Sequence, residues 1–558
     1  MKKTLVALML VVSVLLTCLP VGMAENELRT FTVYGTANAN FTQEEALATP
    51  TYQILADMFA KKGLKLDVTL IDSAQYATVL QATIASNKTP DFFYTTGLSN
   101  ADCVNLIEAG KVMAIDDALV YSDGTAAAAL GEGGYYHICY DKDAYTDGKL
   151  YYLGNVSSLP GVQDEVFGLS GTTANTYCMK IRQDWLDKLD LPMPTTLDEY
   201  IDTLVAFRKN DANGNGIADE RMVVQTNTCN KTFGGYFDNG VAGWFGLANY
   251  VFQLNRETWE AEVPFLQEGF KDYINFLKRC VEAEVLYLSD NAGKNDKNLS
   301  ALLAQNVVSS YFYYSNTDYY IDENQIYTVM PVLQGVETIK PVMDGCRGYK
   351  AWDYWGFSSK ADPKDVAAFL DVVTSMEYSI WFSFGPCYEV VDGVYNFTGS
   401  SKKDEYVKSG LTKGSNLGSF VPRNTLTTLY ANYKGENLVY ESYDAYLNSL
   451  YFNEIIKPGY KDYQVDNFEK WCKMADELQL YNMNNDLSMI LPMMSVEDAD
   501  VVGFYQNDLY TYMDELFSNL ISGNWSLDNY DQYVQQMKDM GLEELVTVYQ
   551  NLYNKLPH

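Results

Sequence analysis

Residues 29–94 alternate between strand and helix patterns, and that alternation restricts the fold more than any other feature of the chain. Arg29 to Tyr34 alternates side chains as a half-buried strand does and ends at Gly35. Pro50 opens a helical pattern with Ile54, Leu55, Met58 and Phe59 on one face, and Gly63 closes it. Leu66, Val68 and Leu70 alternate as a second strand. Tyr76, Leu80 and Ile84 fall on one helix face, Thr89-Pro90 ends that helix, and Asp91-Phe92-Phe93-Tyr94 is a short third strand. A β-α-β-α-β run builds an open α/β sheet. Ligands of such sheets sit beyond the carboxyl ends of the strands, so the loops after Tyr34 and Tyr94 are candidate cleft walls.

The same signals continue downstream. Gly148 to Tyr152 reads as a turn and a strand. A strand, a helix and a Gly/Asn-rich loop run together from Tyr177 to Glu220, and Thr196-Leu197-Asp198-Glu199 forms a capping box. Phe265 to Leu286 is amphipathic and helical, and Asp362-Pro363 leads into a helix from Asp365 to Met376. The C-terminal third reads as mostly helical. There Ser526 caps Leu527-Asp528-Asn529-Tyr530, with Val534, Met537 and Met540 on one face and Gly541 as the stop. No internal repeat or low-complexity linker divides the 558 residues, which predicts lobes built from interleaved segments.

Lys2 and Lys3 precede an apolar run from Leu5 to Leu19 that Pro20 breaks, and Gly22-Met23-Ala24 offers small residues to a signal peptidase. The run is too short to span a bilayer, so residues 1–24 read as a secretory signal and the protein is expected outside the cytoplasmic membrane. Leu15-Leu16-Thr17-Cys18 resembles a degraded lipobox, which makes a lipid anchor at Cys18 the alternative to cleavage after Ala24. Acidic residues number 73 against 40 basic ones, a net charge of −33, which repels nucleic acid and anionic membrane. Eight cysteines follow the leader without a C-x-x-C pair, so no disulfide pairing is named. Only two histidines occur, His137 and His558, which disfavours His-based zinc sites and Ser-His-Asp or Cys-His catalysis. The 45 tyrosines suit a wet cleft that stacks on sugar faces.

The sharpest motif is Asp211-Ala212-Asn213-Gly214-Asn215-Gly216-Ile217-Ala218-Asp219-Glu220. Oxygen side chains occupy loop positions one, three and five, with Gly at six, the spacing by which an EF-hand turns successive oxygens toward a hard cation. Position twelve is Met222 rather than a bidentate Glu, so Asp219 and Glu220 are the substitutes. The expected site is a structural Ca²⁺ held by Asp211, Asn213, Asn215, the Ile217 carbonyl, Asp219 and Glu220. A Gly/Asn turn without metal is the plain alternative.

Ile181-Arg182-Gln183-Asp184-Trp185-Leu186-Asp187-Lys188-Leu189, Pro194-Thr195-Thr196-Leu197-Asp198-Glu199-Tyr200 and the loop just described together resemble the extracellular solute-binding protein family 1. Within it the likeness is to alginate oligosaccharide-binding and LipO-type proteins. Weaker echoes are Ala85 to Asp91, Gly148 to Leu153, Tyr388 to Tyr395 and Ile521-Ser522-Gly523. The resemblance implies a type II periplasmic-binding-protein fold, in which two α/β lobes joined by hinge crossings close on a solute. It implies delivery of a sugar or oligosaccharide to the membrane subunits of an ABC permease, by a monomer that is not an enzyme. Residues 25–155 and 348–425 would form the first lobe, and 156–347 and 426–558 the second. Tyr94, Trp244, Tyr313, Tyr314, Trp352 and Tyr388 are the candidate cleft aromatics. The pattern departs at Phe382 to Tyr388: Phe384 stands where the family has the Glu of a Gly-x-Glu-Gly segment, so that carboxylate is not carried over.

Two rival functions are a secreted glycoside hydrolase working through paired carboxylates, for which no nucleophile motif stands out, and a calcium-dependent surface-binding module. Modules of the second kind repeat the loop near a terminus, whereas here it occurs once in mid-chain.

Overall fold

The computed structural model describes residues 28–37, 42–137, 139–140, 144–158, 177–224, 240–247, 251–255, 258–288, 295–314, 325–339, 341, 343–344, 350–384, 388–391, 394–397, 422, 424, 481–482 and 493–555. The expected leader, Cys18 and Ala24 lie outside these residues.

Strand β1 (Arg29–Thr36), helix α1 (Pro50–Lys61), strand β2 (Leu64–Ile71), helix α2 (Tyr76–Ala85) and strand β3 (Phe92–Tyr94) come in the predicted order, with an unforeseen short helix at Gln43–Leu47 ahead of α1. β1 pairs in parallel with both β2 and β3. Thr49 caps α1 with Pro50 in its first turn, and Gly63 takes the left-handed φ of +77° needed to turn back into β2. α3 (Asn100–Glu108) follows β3, and β4 (Tyr152–Ser158) lies further along.

A second sheet starts with β5 (Tyr177–Arg182), followed by α4 (Gln183–Leu189), α5 (Leu197–Lys209) and β6 (Arg221–Val224). α6 (Gly269–Glu282), β7 (Leu286–Leu288), β8 (Val308–Tyr314) and β9 (Tyr327–Val329) complete it. The chain then returns to the first sheet through β10 (Lys350–Phe357) and α7 (Pro363–Val373), with α8 (Met376–Phe384) and the hairpin β11 (Tyr388–Val391) and β12 (Val394–Phe397) behind them. The strand orders are β2-β1-β3-β10-β4 and β9-β5-β8-β6-β7. β10 runs antiparallel to β3 and β4, with an irregular register between Trp352 and Trp355. β8 runs antiparallel to β5 and parallel to β6.

Aromatic side chains hold each sheet to its helices. On the first, Phe369 of α7 lies 5.1 Å from Phe31, 4.9 Å from Phe92 and 5.1 Å from Phe59, ring centre to ring centre. Each such fully buried ring contributes about 1.5–3 kcal/mol by leaving water. On the second, Trp185 packs on Phe207, and Tyr200 lies between Trp244 and Phe276.

The C-terminal helices are α9 (Val496–Ile521), α10 (Tyr530–Asp539) and α11 (Leu542–Tyr553). Ser526 caps only a single 3₁₀ turn, Leu527–Asn529, before α10 begins. Gly541, at φ +94°, ends α10 and leads directly into α11, which the sequence reading missed. Likewise the helix expected at Asp365 to Met376 runs from Pro363 to Val373, and α8 begins at Met376. No helix among the described residues is long and apolar enough to cross a membrane.

Candidate functional site

The Asp211–Glu220 loop hangs between α5 and β6 of the second sheet. Thr196 and Glu199 form the expected capping box at the start of α5. Past its C-terminus Asp211 takes φ +49°, while Lys188 reaches over from α4 to donate to the Ala212 carbonyl at 2.8 Å. The loop then closes on its own oxygens. Asp211 Oδ1 accepts the Asn215 N–H at 3.0 Å and Oδ2 the Gly216 N–H at 2.9 Å. Asn215 Oδ1 accepts the Ile217 N–H, and the Ile217 carbonyl accepts the Asp219 N–H. Gly214 and Gly216 have φ of +76° and +80°, which allows the tight turn.

Glu220 is fully buried at the head of β6. Its Oε1 accepts the Asn213 N–H at 3.0 Å, whereas its Oε2 has no hydrogen-bond partner among the described residues. Asp219 is turned to the side-chain amides of Asn213 and Asn215. With Asp211 committed to backbone donors, the three carboxylates do not converge, and among the described residues no three His, Cys, Asp or Glu side chains form a metal-binding group. Asn213 also donates to the Asn306 carbonyl, and Arg182 donates to the Asn306 side chain. Arg182 is buried, grips Asp184 through two hydrogen bonds and covers the Trp185 ring, so the loop is tied to the end of β5.

At the carboxyl ends of the first sheet, the Tyr76 hydroxyl donates to the Tyr34 carbonyl at 3.2 Å and accepts the Tyr94 N–H at 2.9 Å. Burial pushes this phenol well above its usual pKa. Just beyond Tyr94, a cavity of about 570 Å³ opens between α3 and α9. Gly97, Ser99, Asp102 and Asn105 line one side, and Asp500, Gly503, Phe504, Gln506 and Asn507 the other. The loop after Tyr94 was an expected cleft wall. The α9 wall was not foreseen, although its exposed residues recur at helical spacing in the sequence.

α9 spans from α3 to α6. Its first turns line the cavity with α3, and the Met494 N–H meets Asn100 Oδ1 at 3.4 Å. Its C-terminal half is buried on the second layer, where Phe517 stacks on Tyr273 of α6 at 6.0 Å.

The candidate aromatics fall in two groups. Tyr94 and Trp244 are 1% and 2% exposed and present no open ring face. Their packing explains this: Tyr94 meets Phe92 edge to face, and Trp244 meets Tyr200 and Phe276 the same way. Tyr313 and Tyr314 end β8, Trp352 pairs with Asn155 at the β10 irregularity, and Tyr388 opens β11. The side chains of these four lie outside the described residues.

No family model matches the chain. In sequence it is 22% identical over 511 residues to the fructooligosaccharide ABC transporter substrate-binding protein FusA of Streptococcus pneumoniae, covering 90% of this chain and 86% of that protein. It is 24% identical over 378 residues to lipoprotein LipO of Bacillus subtilis, covering 58% of this chain and 71% of that one. In structure it matches FusA in complex with kestose at a TM-score of 0.67 and 18% identity, over 94% of this chain and 99% of that chain. FusA has also been solved as an EF-hand mutant with fructo-nystose, matched at a TM-score of 0.64 and 17% identity over 94% and 99%. The alginate-binding protein AlgQ2, solved without calcium ion, matches at 0.61 and 14% identity over 94% and 97%. In sequence and in fold, the chain is a relative of the ABC-transporter substrate-binding proteins, with the two-sheet α/β architecture of the solute-binding proteins.

Proposed function

We propose that the chain is an extracytoplasmic solute-binding protein that takes up an oligosaccharide in a groove between two lobes and presents it to an ABC importer. One observation carries the reading: the likeness to a fructooligosaccharide-binding protein runs nearly end to end in both sequence and fold. The two sheets serve as the cores of the lobes, with crossings near residues 155, 347 and 425. α9 moves with the second lobe, because its C-terminal half packs on α6, so the groove between α3 and α9 lies where the lobes face each other. Contacts made from both walls exist only when the lobes are closed, and ligand therefore shifts the population toward closure. The permease reads the closed surface of a monomer that is exported by residues 1–24 or anchored at Cys18.

Tyr313, Tyr314, Trp352 and Tyr388 stay candidate sugar platforms. Tyr94 and Trp244, buried against other rings, offer no face to a sugar.

Calcium belongs to the same reading. The buried Glu220 oxygen without a partner fits a hard cation, since a desolvated carboxylate is costly unless neutralised. Asp211, Asn213, Asn215, the Ile217 carbonyl, Asp219 and Glu220 would hold it, with Asp211 and Asp219 exchanging their present hydrogen bonds inside the loop for the ion. The ion would supply charge neutralisation and rigidity to the second lobe, and no catalysis.

A thermal-shift screen of the purified chain against neutral and acidic saccharides tests the function. Binding at a hundred times Kd stabilises the native state by about 2.7 kcal/mol, so a true ligand raises the Tm in proportion to the logarithm of its concentration. A full panel without any such rise removes the proposal.

A further inference from the structure

Asp500, Gly503, Phe504 and Asn507 stand at positions i, i+3, i+4 and i+7 of α9, so they share one helix face. All four are exposed, and Phe504 is 77% exposed. The helix turns its other face, with Ala499, Val502, Leu509 and Tyr510, into the protein. Two features of the outer face have no evident packing role among the described residues. Gly503 lies in the helix interior, where glycine is less favourable than alanine, yet a Cβ added there would meet nothing within 4 Å. Among the described residues Phe504 has one ring contact, edge to face with Tyr505 at 4.7 Å, and holds a large apolar face out to water. Asp500, Asn507 and, across the groove, Asn105 make no side-chain hydrogen bonds among the described residues.

An open aromatic face, two unengaged amides and the unengaged Asp500 carboxylate suit a sugar ring, whose C–H face stacks while its hydroxyls donate and accept. The charges narrow the class. Among the described residues the groove carries Asp102 and Asp500 and no basic side chain. A uronate would bring its carboxylate against two others with no cation to pair with. We infer that the Asp500-Gly503-Phe504-Asn507 face, with Asp102 and Asn105 opposite, is a subsite for an uncharged oligosaccharide that discriminates against acidic sugars. This rests on the proposed solute-binding function and names the ligand class at that same groove.

Calorimetric titration of the full chain with kestose and with trigalacturonate tests it, on the wild type and on Phe504→Ala, Phe504→Tyr, Gly503→Ala and Asp500→Asn. Kestose is expected to bind the wild type, with trigalacturonate at least tenfold weaker. Phe504→Ala is expected to weaken kestose on the order of tenfold, as loss of a stacked face does, while Phe504→Tyr keeps the affinity. Gly503→Ala raises the Tm yet weakens kestose, because its methyl intrudes on that helix face. Asp500→Asn narrows the gap between the two sugars. The inference fails if the wild type prefers trigalacturonate, or if it binds kestose and Phe504→Ala binds it equally well. If no saccharide binds the wild type at all, the solute-binding function itself falls and this subsite with it.

Discussion

The Tyr76 hydroxyl accepts the backbone N–H of Tyr94 at 2.9 Å while donating to the carbonyl of Tyr34, so one buried phenol ties together the carboxyl ends of β3 and β1. The first wall of the groove, Gly97 to Asn105, departs from the β3 end. Tyr76→Phe keeps the ring and removes both bonds. It is expected to cost about 1–3 kcal/mol, since buried backbone groups lose a partner that water cannot replace. The urea midpoint should fall with an unchanged m-value. A midpoint equal to that of the wild type would show that the bridge is dispensable.

Asp371 anchors a second junction, between α7 and residues 122–126. It is 3% exposed on α7 and accepts hydrogen bonds from Ser122 Oγ and from the backbone N–H groups of Asp123 and Ala126. Asp371→Ala strands three donors and is expected to destabilise by about 3 kcal/mol, with Asp371→Asn intermediate because it retains one acceptor oxygen. Denaturation of both variants checks the order.

How much of this was readable from the sequence depends on how local each feature is. β1 to β3 were, because apolar periodicity and the breakers Gly63 and Thr89-Pro90 act within a few residues. The Asp211–Glu220 loop was readable for the same reason. β10 was not: its place between β3 and β4 is decided by pairing across almost the whole first half of the chain. Trp244 looked like a loop aromatic because glycines flank it, yet a helical turn, Gly240–Gly243, sets it against Tyr200. The α9 face was written in the spacing of Asp500, Gly503, Phe504 and Asn507, but nothing in that spacing names α3 as its opposite wall.

Asp123 carries a pH-dependent contribution. Its hydrogen bond and ion pair with Lys62, then the N–H of Thr125, hold its carboxyl below the usual range at about 2. A depressed folded pKa stabilises above the unfolded value near 4 and is lost as the pH falls toward 2. The side chain is 51% exposed, so solvent screening keeps the effect under about 1 kcal/mol. Wild type is therefore expected to exceed Asp123→Asn slightly at pH 6 and to match it at pH 2, by parallel urea titrations. A gap that widens on acidification would contradict the assignment.

Glu220 gives the calcium proposal its sharpest test, because its charge has opposite consequences with and without an ion. It is fully buried, and one of its oxygens has no hydrogen-bond partner among the described residues. If Ca²⁺ occupies the loop, that oxygen is paired, EGTA should lower the wild-type Tm, and Glu220→Gln should lose most of the calcium response. If no ion binds, the same carboxylate is a desolvated charge with one partner, and removing the charge should raise stability or leave it unchanged. Asn213 should behave differently. It carries the link through Asn306 to Arg182, so Asn213→Ala should destabilise the loop in EGTA as well as in calcium. Melting the wild type and both variants with EGTA and with millimolar Ca²⁺ separates the cases. A wild-type Tm that ignores EGTA, together with a stabilised Glu220→Gln, would mean that the loop is held by its internal hydrogen bonds alone.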